Sequence, residues 1–79
     1  MGRGPAKQRL TVTDAEFILA MAENGLSVTR AGKSMPMSYT SAMYHTTKIK
    51  RETGLDPRDF YGMTALLPLA RSMLNERKE

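Results

Sequence analysis

Between Gly25 and Gly54 the chain is cut once, at Pro36, into two runs that each open on a serine, Ser27 and Ser38. Serine is a favoured helix N-cap and glycine a favoured left-handed stop, while the residue before a proline is pushed out of the α region. This punctuation predicts a helix over 28–35, a break of a few residues, and a second helix over 38–53. A short helix, a tight break and a longer helix with polar residues at its start is the pattern of a helix-turn-helix. Ala31 and Gly32 give the shorter helix a small-residue face, which two closely crossing helices need. Gly32 costs roughly 1 kcal/mol against alanine inside a helix, so a packing reason is expected for it. Met37 offers an apolar plug between the two helices.

The flanks are helical too. Thr13-Asp14-Ala15-Glu16 has the form of a capping box, predicting a first helix from Asp14 to about Asn24 that Gly25 ends. Phe17, Ile18, Met21 and Ala22 give it one apolar face. Asp56-Pro57 is a cap followed by a proline suited to a first helical position, so a further helix or a short turn begins there. Met63, Leu66, Leu67, Leu69, Ala70, Met73 and Leu74 form an apolar segment that closes the core under the motif. Pro68 interrupts it, and an interior proline costs roughly 3 kcal/mol, which predicts a kink or a restart near Leu67. No repeat and no strand alternation is present. The expected fold is therefore all-α: a small helix-turn-helix domain of four to five helices over 10–79, with the motif at 27–53 and closing helices at 57–75.

A chain of 79 residues holds one domain. It buries only roughly 60% of its unfolded surface, so the core is small. The absence of cysteine excludes disulfides and Cys-based zinc sites. No apolar run is long enough for a membrane span, and the glycine-rich start lacks the apolar core of a signal peptide, so a cytoplasmic protein is expected.

Charge is placed unevenly. Residues 27–51 carry five bases (Arg30, Lys33, Lys48, Lys50, Arg51) and no acid, residues 10–26 three acids and no base, and residues 52–79 five acids against four bases. The net charge is +4 and the pI near 9.8. Cations concentrated on the motif favour double-stranded DNA as the partner over ordinary solubility charge. Residues 1–9, with two glycines, a proline and the bases Arg3, Lys7 and Arg9, are expected to form a flexible basic arm able to lie along phosphates or in a minor groove.

In the longer motif helix, Ala42, Ile49 and either His45 or Thr46 face the core, leaving Ser38, Tyr39, Thr40, Met43 and Thr47 pointing away. The expected base contacts are Tyr39, Thr40 and Met43, made in the major groove. The expected backbone contacts are Arg30, Lys33, Ser38, Ser41, Lys48, Lys50 and Arg51. Tyr44 either stands exposed or wedges against the first or last helix. The first turn lacks an Arg or Asn to read guanine or adenine, which predicts modest discrimination, aided by the arm or by a second copy. Homodimerisation through the C-terminal Leu/Met segment would supply that copy.

The stretch from Leu26 to about Leu69 resembles the C-terminal helix-turn-helix of the purine-catabolism and sugar-diacid regulators, which is of Fis type. The matching residues are Gly32, Ser41, Tyr44, Ile49, Thr53-Gly54-Leu55-Asp56 and the Leu-rich run from Ala65 to Leu69. The chain departs from that family at Ser38, Thr40, Thr46 and Glu52. Leu10-Thr11, Phe17, Gly25 and Ala31-Gly32 are similar to the start of phage small-terminase DNA-binding domains. Met37-Ser38-Tyr39 with Ala42 is similar to the molybdate-responsive regulators, without their Gly-rich wing strands. All three resemblances imply DNA binding, in transcription regulation or in phage DNA packaging.

Other chemistries find little support. His45 is the only histidine, a metal site would need distant carboxylates, no Ser or Thr has an evident base, and no Gly-rich phosphate loop is present. No enzyme, cofactor or metal is expected. The competing class is a small helical protein-interaction adaptor, for which seven methionines would supply an adaptable surface.

Overall fold

The computed structural model describes residues 10–78, and over them the chain is all-α. Four helices follow one another: α1 (Val12–Glu23), α2 (Val28–Ser34), α3 (Tyr39–Thr53) and α4 (Phe60–Lys78). The expected arm, with Arg3, Lys7 and Arg9, lies outside the described residues. α1 is the hub: α2, α3 and α4 all pack on it, and α2 and α3 pack on each other. The core is formed by Phe17, Ile18 and Met21 of α1, Val28 and Ala31 of α2, Ala42 and Ile49 of α3, and Met63, Leu66 and Ala70 of α4.

α1 starts two residues earlier than its sequence suggests. The capping box is Thr11-Val12-Thr13-Asp14: the Thr11 hydroxyl accepts the Asp14 amide at 3.1 Å, and Asp14 Oδ2 accepts the Thr11 amide at 2.9 Å. Two Thr-x-x-acid frames compete here, and burial decides between them. The observed frame places Leu10 just before the cap and Ala15 one turn on, both buried, as in a hydrophobic staple. At the other end the Leu26 amide bonds back to the Met21 carbonyl at 2.8 Å, with Gly25 at φ +66 closing a Schellman-type turn.

The motif helices cross closely at Gly32, where a Cβ would lie 3.3 Å from Ala42 Cβ and 3.5 Å from the Met37 carbonyl oxygen. Any side chain larger than a methyl would wedge α2 off α3. Ser27 and Ser38 cap their helices as expected, and Gly54 ends α3 at φ +76.

At Asp56-Pro57 the short turn, not a further helix, is what forms, so one closing helix stands where a pair was expected. Residues 55–59 form a turn in which Asp56 accepts the Arg58 amide, and Asp59, through its Oδ2, accepts the Gly62 amide to start α4. Gly62 lies against the backbone of Asp56: an added Cβ would fall inside contact distance of its carbonyl oxygen and 2.9 Å from its nitrogen. α4 then continues through Pro68 without restarting. Pro68 and Thr64, whose carbonyl the proline leaves without an amide partner, are both on the exposed side of the helix, so water can satisfy that carbonyl. Of the Leu/Met segment, Met63 and Leu66 are buried, and Leu67, Leu69, Met73 and Leu74 are half-buried against the chain's own core.

Candidate nucleic-acid interface

α3 is amphipathic in an unusual way, because its inner face is small rather than greasy. Ala42, Thr46 and Ile49 are buried, with the Thr46 hydroxyl satisfied by the Ala42 carbonyl at 2.9 Å. The inner alternative is settled for Thr46, and His45 lies at the edge. Half a turn away, Thr40, Tyr44, Thr47 and Arg51 recur at four-, three- and four-residue spacing, and all are exposed. Tyr44 is 58% exposed, so it does not wedge against another helix. Of the expected base contacts Tyr39, Thr40 and Met43, only Thr40 lies on this stripe. Tyr39 is 60% exposed at the helix start, but Met43 is half-buried and packs against the core.

The expected backbone contacts divide by environment. Arg30 and Lys33 are exposed on α2, three residues apart and so on one face. Arg51 is 61% exposed, with Nε 3.5 Å from Glu52, and Lys50 is 59% exposed, 4.0 Å from Asp56. Asp56 is held chiefly by Arg58, whose guanidinium bonds it through Nε and Nη2, and its carboxyl is thereby pulled below the ordinary range. Ser38 is exposed, but its oxygen accepts the Ser41 amide and its hydroxyl donates to Ser41 Oγ, so this pair serves first to cap α3.

Lys48 departs from the other expected backbone contacts. It turns inward, its side chain only 14% exposed, and its ammonium bonds Asp14 Oδ2 at 2.7 Å. His45 Nδ1 lies 2.6 Å from Asp14 Oδ1, and the Thr11 amide also reaches Oδ2. Asp14 itself is fully buried. Burial is the largest influence on its carboxyl and raises its pKa. The hydrogen bonds from Lys48, the Thr11 amide and His45 outweigh burial together, so the carboxyl titrates below its ordinary range. A cation committed in this way is not available to a phosphate.

The sequence carried a signal for Asp14 that the capping motif hid. Asp14, Phe17, Ile18 and Met21 stand at i, i+3, i+4 and i+7, so Asp14 lies on the apolar face of α1. A charge there needs an opposite charge, and since residues 10–26 contain no base, another element must supply it. Among the described residues, no group of three or more His, Cys, Asp and Glu side chains is arranged to hold a metal ion. No described helix is long and apolar enough to cross a membrane. Comparison with protein-family models, curated proteins and solved structures gives no match.

Proposed function

We propose that the chain binds double-stranded DNA, laying the outer face of α3 in the major groove with Thr40, Tyr44 and Thr47 toward base edges. One observation carries this most: the exposed stripe of α3 lies in an acid-free segment that keeps four accessible cations, Arg30, Lys33, Lys50 and Arg51. Those cations neutralise phosphates and set the register, while the stripe supplies discrimination. Tyr39 and Thr40 belong to the groove-entering turn, and Met43 contributes only its exposed edge. The corresponding biological roles are a small cytoplasmic transcription regulator or a phage DNA-packaging protein.

A second copy would give the specificity that one module lacks, on half-sites about one helical turn apart. The apolar side chains of 66–74 are largely spent on the chain's own core. A homodimer would therefore use the outward side of α4, where no charged residue occurs between Phe60 and Ala70. The exposure of Phe60 and Tyr61 is also what favours the second functional reading, a protein-interaction adaptor.

Salt titration separates the two. Four phosphate contacts predict a slope near −3.6 in log affinity against log salt, so raising salt from ~50 to ~200 mM weakens binding about 150-fold. Absence of duplex binding at ~50 mM salt, with capture of a protein partner instead, refutes the DNA reading.

A further inference from the structure

The side that α3 presents depends on its roll about its own axis, and few large apolar side chains of α3 are buried to fix that roll. Of the three buried positions, Ala42, Thr46 and Ile49, just one is a large apolar side chain. A second, polar hold comes from α1. The two carboxylate oxygens of Asp14 are divided between two α3 side chains three residues apart, Oδ1 to His45 at 2.6 Å and Oδ2 to Lys48 at 2.7 Å. One contact would act as a pivot, whereas two at different heights fix both roll and axial position. The carboxylate cannot swing to follow the helix, because the Thr11 amide holds Oδ2 at 2.9 Å within the capping box. The His45 ring then stands between the core and the surface: its centroid is 5.9 Å from that of Phe17 and 5.4 Å, edge-on, from that of Tyr44.

We infer that Asp14 is a positioning residue that sets the roll of α3 through His45 and Lys48, and through the His45 ring the direction in which Tyr44 leaves the surface. The consequence for DNA sequence preference rests on the DNA-binding reading, whereas the roll itself does not. A roll of roughly 20° moves a side-chain tip ~6 Å from the helix axis by ~2 Å. Binding constellations tolerate only about 0.5 Å, so a change of this size alters which bases are read.

The test is Asp14→Asn in the full chain, which keeps the size of the side chain but removes its charge and one of its two acceptors. Residual dipolar couplings report the orientation of α3 relative to α1 in the free protein. Binding is measured in parallel to a duplex selected from a random pool and to a scrambled duplex. We expect a measurable roll and an about tenfold loss of the selected-over-scrambled preference, comparable to losing one base contact. The salt slope should steepen by at most about 0.9, because the four accessible cations are untouched and only Lys48 is released. Should Asp14→Asn not fold, Lys48→Met, which keeps the side-chain stem and leaves His45 as a single pivot, carries the same measurements. Couplings that match wild type, or a preference that survives a rolled helix, overturn the inference. If wild type binds neither duplex, the DNA reading falls and the couplings alone decide the role of Asp14.

Discussion

Lys48 and Arg51 stand three residues apart on α3, are both cationic, and should respond in opposite ways to removal. Lys48→Met deletes the ammonium that bonds Asp14 Oδ2 and leaves a fully buried carboxylate with fewer partners. Breaking a buried pair costs about 3–5 kcal/mol. His45 and the Thr11 amide remain on Asp14, so about 3 kcal/mol is the appropriate figure. A domain of this size has a total stability of roughly 4–12 kcal/mol. At about 4–8 °C per kcal/mol, the melting temperature should fall by ~12–24 °C. The salt slope of DNA binding, measured where the variant is still folded, should stay at its wild-type value. Arg51→Ala removes only an exposed side chain in a loose surface pair, worth about 0–1 kcal/mol. Its melting temperature should hardly move, while its salt slope becomes shallower by about 0.9. Thermal melts by circular dichroism and a fluorescence-anisotropy salt series on both variants decide the matter. A Lys48→Met protein that melts with wild type and loses slope would refute the division between a structural and a phosphate-facing cation.

Gly62→Ala should destabilise by about 1–3 kcal/mol, since the new methyl meets the Asp56 backbone rather than a yielding side chain; a denaturant midpoint equal to wild type would contradict that contact. Acid unfolding should also depend on Asp14. Its folded-state pKa lies below the ordinary value of 3.8, so its contribution is fully present above about pH 3.8 and is lost as pH falls through the folded value. Stability measured against pH should therefore decline more gently below pH 3.8 in Asp14→Asn than in wild type, and parallel declines would assign the acid sensitivity to other groups.

What could be read from the chain follows the range of the interactions involved. Ser27, Ser38, Gly25 and Gly54 bound their helices through contacts within a few residues, and the boundaries of α2 and α3 were legible for that reason. The start of α1 was harder, because Thr11 and Thr13 each precede an acid by three residues and only the burial of Leu10 and Asp14 separates them. Pro68 shows a local rule yielding to context: the intrahelical bond it removes lies on the wet side of α4. The inward turn of Lys48 was out of reach, since its partner is 34 residues away and nothing near Lys48 marks it from Lys50 or Arg51. Thr40 and Thr47 were rightly read as outward, and register could have replaced Met43 with Tyr44 on that side. Once Ala42, Thr46 and Ile49 are taken as the inner line, the opposite line follows from helical spacing alone.

The insulation of that outer line has a corollary for substitution. Thr40, Tyr44, Thr47 and Arg51 add nothing to the buried interior, while the atoms that hold their helix in place belong to other positions. If α3 binds DNA as proposed, substitutions on this line change the bases it reads while leaving the scaffold intact. A library randomised at those four sites should consist mostly of folded proteins.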